Sequence, residues 1–140
     1  MIVGIVSGYF NPVHWGHIQY MNSAKSQCTH LIAIINNDAQ VKLKGTKPFM
    51  DQEHRRQIVS TLKPIDDAWV SIDTDKYVCK TIQKIRMAYP HDQIRFFNSG
   101  DRSKVNPESI ELALCNSLGI KYVAIPLPKL YSSSKLLDNL

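Results

Sequence analysis

Short apolar runs rich in β-branched residues alternate along the chain with segments of helical period. Runs of this length and composition predict β-strands, and there are five of them: IVGIVSG, LIAIIN, AWVSI, IRFFNSG and KYVAIPL. Between them apolar side chains recur every three or four residues, which predicts four amphipathic helices. Their apolar positions are Ile18, Met21, Ala24 and Cys28; Ile58, Val59 and Leu62; Val78, Ile82, Ile85 and Tyr89; and Ile110, Leu114 and Leu118.

Strict alternation of strand and helix predicts an α/β fold. The expected architecture is a Rossmann-like, doubly wound, five-stranded parallel sheet with helices on both faces. Asp51 before the second helix and Asn106 with Pro107 before the fourth are expected start signals. Residues 36–50 form the longest irregular segment, and such a long loop in a compact domain is usually functional. With 140 residues, the chain predicts one domain, residues 1–140.

Composition narrows the class of protein. The chain has 17 Lys and Arg against 12 Asp and Glu, a formal charge of +5, which favours an anionic partner such as a nucleotide or a sugar phosphate. Its three cysteines lack CxxC spacing, so a reducing cytoplasm is expected, without a zinc ribbon or a disulfide framework. We expect no membrane span, because no apolar run approaches the roughly 20 residues required.

Ligands of an open parallel sheet bind at the carboxyl ends of its strands. The segments that follow these ends are polar, glycine-containing or basic: GYFNPVHWGH, NNDAQVKLKG, SGDRS and PLPKLYSSSKLL. All four suit a nucleotide, although loops are polar in general and each one could be an ordinary surface loop.

Two histidines lie three residues apart in the first of these segments. A helix that begins near Trp15 or Gly16 places His14 and His17 around its first turn, beside free backbone N–H groups and the positive end of the helix dipole. Gly16 would let a phosphate approach the backbone closely. The pair therefore predicts a phosphate site. The alternatives are a metal site, although no further ligands follow at matching spacing, and two histidines without a functional role.

The segment GYFNPVHWGH resembles the G-x-F-D/N-x-x-H-x-G-H signature of the cytidylyltransferase-like nucleotidyltransferases. The resemblance extends over nearly the whole chain, through KLKGTKPFMDQEHRRQIV, LKPIDDAWV, SGD and YSSSKLL. In size and motifs the chain is closest to glycerol-3-phosphate cytidylyltransferase and the heptose-1-phosphate adenylyltransferase domain. The signature positions are Gly8, Phe10, Asn11, His14, Gly16 and His17.

The resemblance implies direct transfer of a nucleoside monophosphate, with CMP favoured, from a nucleoside triphosphate to a small phosphorylated metabolite. His14 and His17 would stabilise charge on the phosphoryl oxygens, and Lys44, with Lys42 as a second candidate, would close over the triphosphate. Arg55 would face the acceptor phosphate. The nucleotide-binding residues would be Gly8, Tyr9, Phe10, Asn11, Gly16, Gly100, Asp101, Ser132, Ser133 and Ser134.

Several positions depart from the family pattern. Tyr9 replaces a small Thr or Ser, and Asn11 stands where cytidylyltransferases usually carry Asp. No arginine follows Arg102, so Lys129 would replace the closing arginine of the family as a point charge. These departures leave the donor open between CTP and ATP.

Mg²⁺ is implied by the triphosphate, which would hold the ion with water, and no protein ligand is assigned. A catalytically silent nucleotide-binding module and an adenylyltransferase are the alternatives. A nucleic-acid-binding domain rests on charge alone, so no nucleic-acid partner is expected. Members of the family are commonly dimeric, and a homodimer is expected here, with Trp69 or Phe49 as interface or core residues.

Overall fold

The computed structural model describes residues 1–99 and 110–126. The expectations for Gly100, Asp101, Asn106, Lys129 and the serine triplet fall outside these residues. The elements are β1 (Ile2–Gly8), α1 (Trp15–Lys25), β2 (His30–Ile35), α2 (Asp38–Leu43), α3 (Gln52–Ser60), β3 (Asp67–Val70), α4 (Cys79–Ala88), β4 (Gln93–Ser99), α5 (Ile110–Ser117) and β5 (Lys121–Ile125).

The five strands form one sheet in the order β3-β2-β1-β4-β5, and all neighbours pair in parallel. This confirms the predicted α/β fold with a parallel sheet. The chain winds from β1 through β2 to β3 and then crosses to β4 on the other side of β1. The order of connection therefore reverses between β1 and β4, which is where parallel sheets bind ligands.

Alternating side chains of the central strands supply two separate cores. Val6, Leu31 and Phe97 belong to the core beneath α1 and α3, whereas Ile5 and Ile32 belong to the core beneath α4 and α5. All five side chains are fully buried. Helices on both faces explain why β1 and β2 read as continuous apolar runs rather than as alternating ones.

The β1–β4 ladder opens toward the carboxyl edge, and a tyrosine fills the gap. Paired residues run only as far as Ile5 with Phe96. Beyond them the buried Tyr20 hydroxyl accepts a hydrogen bond from Ser7 N at 3.3 Å and donates one to Phe97 O at 2.5 Å. The strands can therefore separate at the switch point without leaving these two backbone groups unpaired.

Two sequence expectations change at this level. Helix α2 lies inside the segment expected to be irregular, and Asn37 and Gln40 form a capping box at its start. Helix α1 ends at Lys25, so Cys28 is not helical, although it still packs against the core beneath α1. Asp51 is confirmed as the N-cap of α3. Within residues 1–99 and 110–126, no helix is long and apolar enough to span a membrane.

Candidate phosphate-binding site at the start of helix α1

The loop from β1 to α1 begins with a tightly packed turn. A Cβ atom at Gly8 would lie 2.9 Å from the ring of Phe10, so a side chain there would displace that ring. Phe10 is 2% exposed and adopts φ 49°, a left-handed conformation that is uncommon outside glycine. Its ring makes an edge contact with the His17 ring, with centroids 4.9 Å apart. The turn thus packs directly against one of the two histidines.

His14 is the N-cap of α1, and His17 is its third residue. His14 Nδ1 accepts a hydrogen bond from Gly16 N at 3.1 Å, and His17 Nδ1 accepts one from His14 N at 3.2 Å. The two rings stack with centroids 3.8 Å apart. The imidazoles therefore take the place of the Ser and Glu of an ordinary capping box, and the spacing predicted from the sequence is the spacing that this cap requires.

These hydrogen bonds fix the tautomer of both rings. An imidazole nitrogen that accepts a hydrogen bond carries no proton, so a neutral ring holds its proton on the other nitrogen. His14 and His17 both accept at Nδ1, and each neutral ring therefore carries its proton at Nε2. His14 Nε2 is buried without a hydrogen-bond partner among the residues that the structure describes. The proton on His14 Nε2 therefore has no acceptor among the described residues.

Both histidines stay neutral near pH 7. Burial lowers the pKa of His14. Burial, together with repulsion from the protonated form of His14 and from the Lys44 ammonium, lowers the pKa of His17 to about 3. Desolvation penalises the charged form of a histidine, and a neighbouring cation adds to the penalty. A neutral pair brings no positive charge of its own, so the hydrogen-bond donors and the helix dipole are what this end of α1 has to attract an anion.

A lysine lies beside the histidine pair. Lys44 is the C-cap of α2, and its Nζ lies 4.5 Å from the centroid of the Tyr9 ring. Its charge is close enough to His17 to contribute to the lowered pKa of that ring. The structure thus brings together Lys44, Tyr9 and the histidine pair, and it places Lys44 on a helix end rather than on a free loop.

The Asn11 side chain holds the loop before α3. Its Nδ2 donates to Lys47 O at 2.9 Å, and its Oδ1 accepts from Phe49 N at 2.7 Å. Both ends of the amide therefore bind the backbone of the loop before α3. One N–H group of the amide is left over after these two bonds, and the expected contact of Asn11 with the nucleotide stays a prediction.

Arg55 does not face an acceptor. Its side chain is fully buried, Nη2 pairs with Asp38 Oδ1 at 2.7 Å, and Nε donates to Met50 O at 3.0 Å. Nη1 donates to Tyr9 O and Asn36 O, both at 2.7 Å. The expected substrate contact is therefore replaced by a structural one that joins the first loop, the end of β2 and α2. Its neighbour Arg56 pairs with Glu53 at the surface.

Sequence reasoning did not find the side chains that hold this edge of the sheet together. Asp38 neutralises Arg55, and Gln40 is fully buried with its amide bound on both sides. The N-x-x-Q spacing of Asn37 and Gln40 is a capping-box signal that could have predicted α2. No sequence signal indicates that Arg55 is buried.

The site lacks a metal cluster in the part of the chain that the structure describes. No group of three or more His, Cys, Asp or Glu side chains there could hold a metal ion. The side-chain oxygen of Asn11 in the first loop already accepts a hydrogen bond from Phe49 N. Residues 1–99 and 110–126 therefore provide no ready set of protein ligands for Mg²⁺.

A parallel sheet with a capped helix N-terminus at its switch point is typical of nucleotide-binding α/β proteins. The family described as cytidylyltransferase-like matches residues 5–136. The chain therefore belongs to the cytidylyltransferase-like family of nucleotidyltransferases, as the resemblance of its signature implied.

Relatives of this chain carry the name FAD synthase. The protein from Aciduliprofundum boonei is 29% identical over 139 residues, which cover 97% of this chain and 84% of the relative. The protein from Ferroglobus placidus is 35% identical over 92 residues, 64% of this chain. That second match spans 59% of the relative, less than two thirds of its length.

Solved structures share the fold at low identity. A lipopolysaccharide core biosynthesis protein from Thermoplasma volcanium superposes with a TM-score of 0.67 at 24% identity. The superposition covers 92% of this chain and 98% of the Thermoplasma volcanium chain. TmcAL from Thermotoga maritima, bound with alpha-thio ATP, gives a TM-score of 0.71 at 13% identity. This superposition covers 99% of this chain and 50% of the TmcAL chain. These likenesses establish the fold alone.

Proposed function

We propose that this protein transfers a nucleoside monophosphate from a nucleoside triphosphate to a small phosphorylated acceptor and releases pyrophosphate. The observation that carries the proposal is the reciprocal cap of His14 and His17 at the start of α1. This cap holds two neutral imidazoles at a helix N-terminus, the kind of place where phosphate binds in proteins, and this supports the proposal. The family assignment and the full signature support the same reaction class.

The reaction is a direct displacement at the α-phosphorus. An oxygen of the acceptor phosphate forms the new bond to phosphorus, and the bond from that phosphorus to the bridging oxygen of the β-phosphate breaks. Pyrophosphate leaves with the electron pair, and no covalent enzyme intermediate forms. Such a transfer depends on positioning and charge stabilisation, because the protein has little covalent chemistry to perform.

The chain's own residues would perform three tasks in this reaction. The Nε2–H groups of His14 and His17 would donate to the oxygens on which charge increases, and their fixed orientation requires no rearrangement. Lys44 would neutralise the triphosphate from the end of α2. Gly16, at the second helical position, has no side chain that would keep a phosphate away from the first turn of α1. Gly8, Tyr9 and Phe10, at the start of the first loop, would contact the nucleotide.

We propose ATP as the donor, which departs from the preference for CMP transfer expected from the sequence. The relatives from Aciduliprofundum boonei and Ferroglobus placidus are named for FAD, a product that contains an adenylyl group. A phosphorylated acceptor that carries a planar ring, such as FMN, would then be the acceptor class. CTP remains the alternative donor.

Mg²⁺ would accompany the triphosphate and offset its negative charge. Because the described residues offer no ready ligand set, the ion would be bound by phosphate oxygens and water, and no step is assigned to it.

Pyrophosphate release tests the proposal directly. The wild type is incubated with Mg²⁺, with ATP or CTP, and with FMN, glycerol 3-phosphate or phosphoethanolamine. We expect release with at least one pair and a loss of about 100-fold or more in His17→Asn. Asn can still accept from His14 N, but it lacks the reach of the Nε2–H group. His91→Asn, at an exposed position, is the matched control.

Nucleotide binding without release from any pair would support the silent-module alternative instead. Equal turnover in His17→Asn and wild type would overturn the role of the histidine pair.

A further inference from the structure

The segment between β3 and α4, residues 71–78, is attached to α2 by two side-chain amides. Asn37 Nδ2 donates to Ser71 O at 3.0 Å and to Asp73 O at 2.8 Å. Gln40 Nε2 donates to Asp75 O at 2.7 Å and to Tyr77 O at 2.8 Å. Four backbone carbonyl groups of this segment are therefore bound by one short helix. These bonds hold the segment in one conformation, although it contains neither a helix nor a strand.

Gln40 makes this attachment rigid. Its side chain is fully buried, and its Oε1 accepts from Asn36 Nδ2 at 3.1 Å and from Asn37 N at 3.0 Å. Both N–H groups of its amide donate a hydrogen bond, and its oxygen accepts two. The amide therefore has no unused donor or acceptor. Lys44 is the C-cap of the same helix, and its N–H bonds Gln40 O. Helix α2 therefore fixes the position of Lys44 relative to residues 71–78.

The opposite side of the segment contacts a carboxylate. Val78 N donates to Glu111 Oε2 at 3.1 Å. Glu111 lies in the first turn of α5, at the carboxyl edge of the sheet. Asp73 orients the start of α4 by accepting from Lys80 N at 2.8 Å and Thr81 N at 3.0 Å. The hydrogen bond from Val78 N thus joins the Glu111 carboxylate to a segment whose own backbone is held in place.

Among the residues that the structure describes, few groups compensate the Glu111 carboxylate for its burial. It is half-buried, and no cation in residues 1–99 and 110–126 lies within ion-pair distance of it. One backbone donor occupies one of about four lone-pair directions of a carboxylate. Burying a carboxylate costs free energy unless further donors reach it. A ligand that brings an N–H or O–H group would supply them.

The surroundings of Glu111 connect it to the phosphate site. The charge of Glu111 adds to burial in raising the pKa of Tyr9, whose ring carries Lys44 at 4.5 Å. Burial raises the pKa of Glu111 itself. Glu111 is the second residue of α5, which follows β4, and His14 caps α1, which follows β1. The two helix starts therefore lie at the carboxyl edge of neighbouring strands, on either side of the switch point, which suits a molecule with a phosphate at one end and a polar donor at the other.

We propose that Glu111 is a specificity-determining residue on the acceptor side of the site. Its carboxyl group accepts a hydrogen bond from an N–H or O–H group on the part of the acceptor away from the phosphate. This inference rests on the proposed function and extends it. It selects acceptors with a hydrogen-bond donor at that place, such as a hydroxyl, an ammonium or a ring imide, and it disfavours acceptors with a second anionic group there.

Acceptor kinetics of Glu111→Gln test this directly. The amide can still accept from Val78 N, so the fold is kept, but its NH₂ group then faces the donor of the acceptor. We expect the KM for the acceptor to rise at least tenfold, while kcat at saturation and the Kd for ATP change less than threefold. Glu111→Asp keeps the carboxylate and is expected to fall between the two. Glu53→Gln, an exposed glutamate, is the matched control.

The probes are FMN, glycerol 3-phosphate and phosphoethanolamine, each with ATP and Mg²⁺. An acceptor KM in Glu111→Gln equal to that of Glu53→Gln overturns the proposal and leaves the proposed function intact. A parallel loss of ATP affinity also overturns it, because it assigns Glu111 a structural role. Absence of turnover by the wild type with every probe contradicts the proposed function and this inference together.

Discussion

The rings of His14 and His17 stack with centroids 3.8 Å apart, and each ring accepts a backbone N–H at Nδ1. A stacked pair of imidazolium ions would repel, so this contact favours neutral rings. One structural relationship therefore fixes the rotamer, the tautomer and the charge of both side chains. Residues that are held in this way need no reorganisation when charge develops on a phosphoryl group.

Acidification is expected to destabilise the protein through His17. The folded state holds this ring neutral because its pKa is about 3, whereas the unfolded chain binds a proton below about pH 6.5. The unfolded state thus takes up the extra proton between these values, and the stability that His17 contributes above pH 6.5 is lost as the pH falls toward 3. The largest slope for one group is about 1.4 kcal/mol per pH unit.

Urea unfolding at pH 7 and at pH 4.5 measures this effect, with His17→Asn compared with the wild type. The variant keeps an acceptor for His14 N but cannot titrate, so its free energy of unfolding should fall less on acidification. His91→Asn controls for an exposed histidine. If wild type and His17→Asn respond identically to pH, the histidine is not held neutral by the fold.

Replacing Arg55 is expected to destabilise the fold strongly. Arg55→Met leaves the Asp38 carboxylate without its partner and removes the donors of three backbone carbonyl groups. Loss of one partner of a buried ion pair costs about 3–5 kcal/mol. Denaturant midpoints provide the measurement, and Arg56→Met, at the surface, should change stability little. A small effect of Arg55→Met on the free energy of unfolding would contradict a stabilising role for the buried Arg55 side chain.

The loop before α3 depends on the amide of Asn11. Asn11→Asp loses the donor to Lys47 O and places a carboxylate beside that carbonyl oxygen. The loop should then open more often, and trypsin should cleave the Lys44–Gly45 bond at least severalfold faster than in the wild type. Asn116→Asp, on α5, controls for the added charge. Unchanged cleavage would show that the Asn11 contacts do not hold the loop.

Lys44 is expected to contribute affinity for the triphosphate. Lys44→Met removes the charge above Tyr9 and should weaken ATP binding about tenfold, roughly 1.4 kcal/mol, with a smaller effect at high salt. Lys42→Met is the matched control, because Lys42 is exposed on the same helix. Equal losses in both variants would indicate a general effect of net charge.

The sequence predicted the sheet well because apolar periodicity reports burial directly. All five strands and the helix start at Asp51 follow from this periodicity and from capping chemistry. The spacing of His14 and His17 also predicted their place around the first turn of α1. Both are local properties, which depend on residues three or four positions apart.

The roles of Arg55 and Asn11 could not be predicted in the same way. Their partners lie on other segments: Arg55 bonds Tyr9 O, 46 residues away, and Asn11 bonds Lys47 O, 36 residues away. A charged or polar side chain in a sequence motif gives no indication of whether it contacts a ligand or satisfies distant backbone. Helix α2 was missed for a different reason, because its six residues are too few for a clear period.

Calorimetric titration with ATP and with CTP, each with Mg²⁺, tests most directly whether the histidine pair binds a triphosphate. The titrations compare the wild type with His17→Asn and His91→Asn. The result we predict is binding of one nucleotide to the wild type and to His91→Asn, with an affinity at least tenfold weaker in His17→Asn. Binding that is equal in all three proteins, or binding of neither nucleotide to the wild type, would contradict a triphosphate site at the start of α1.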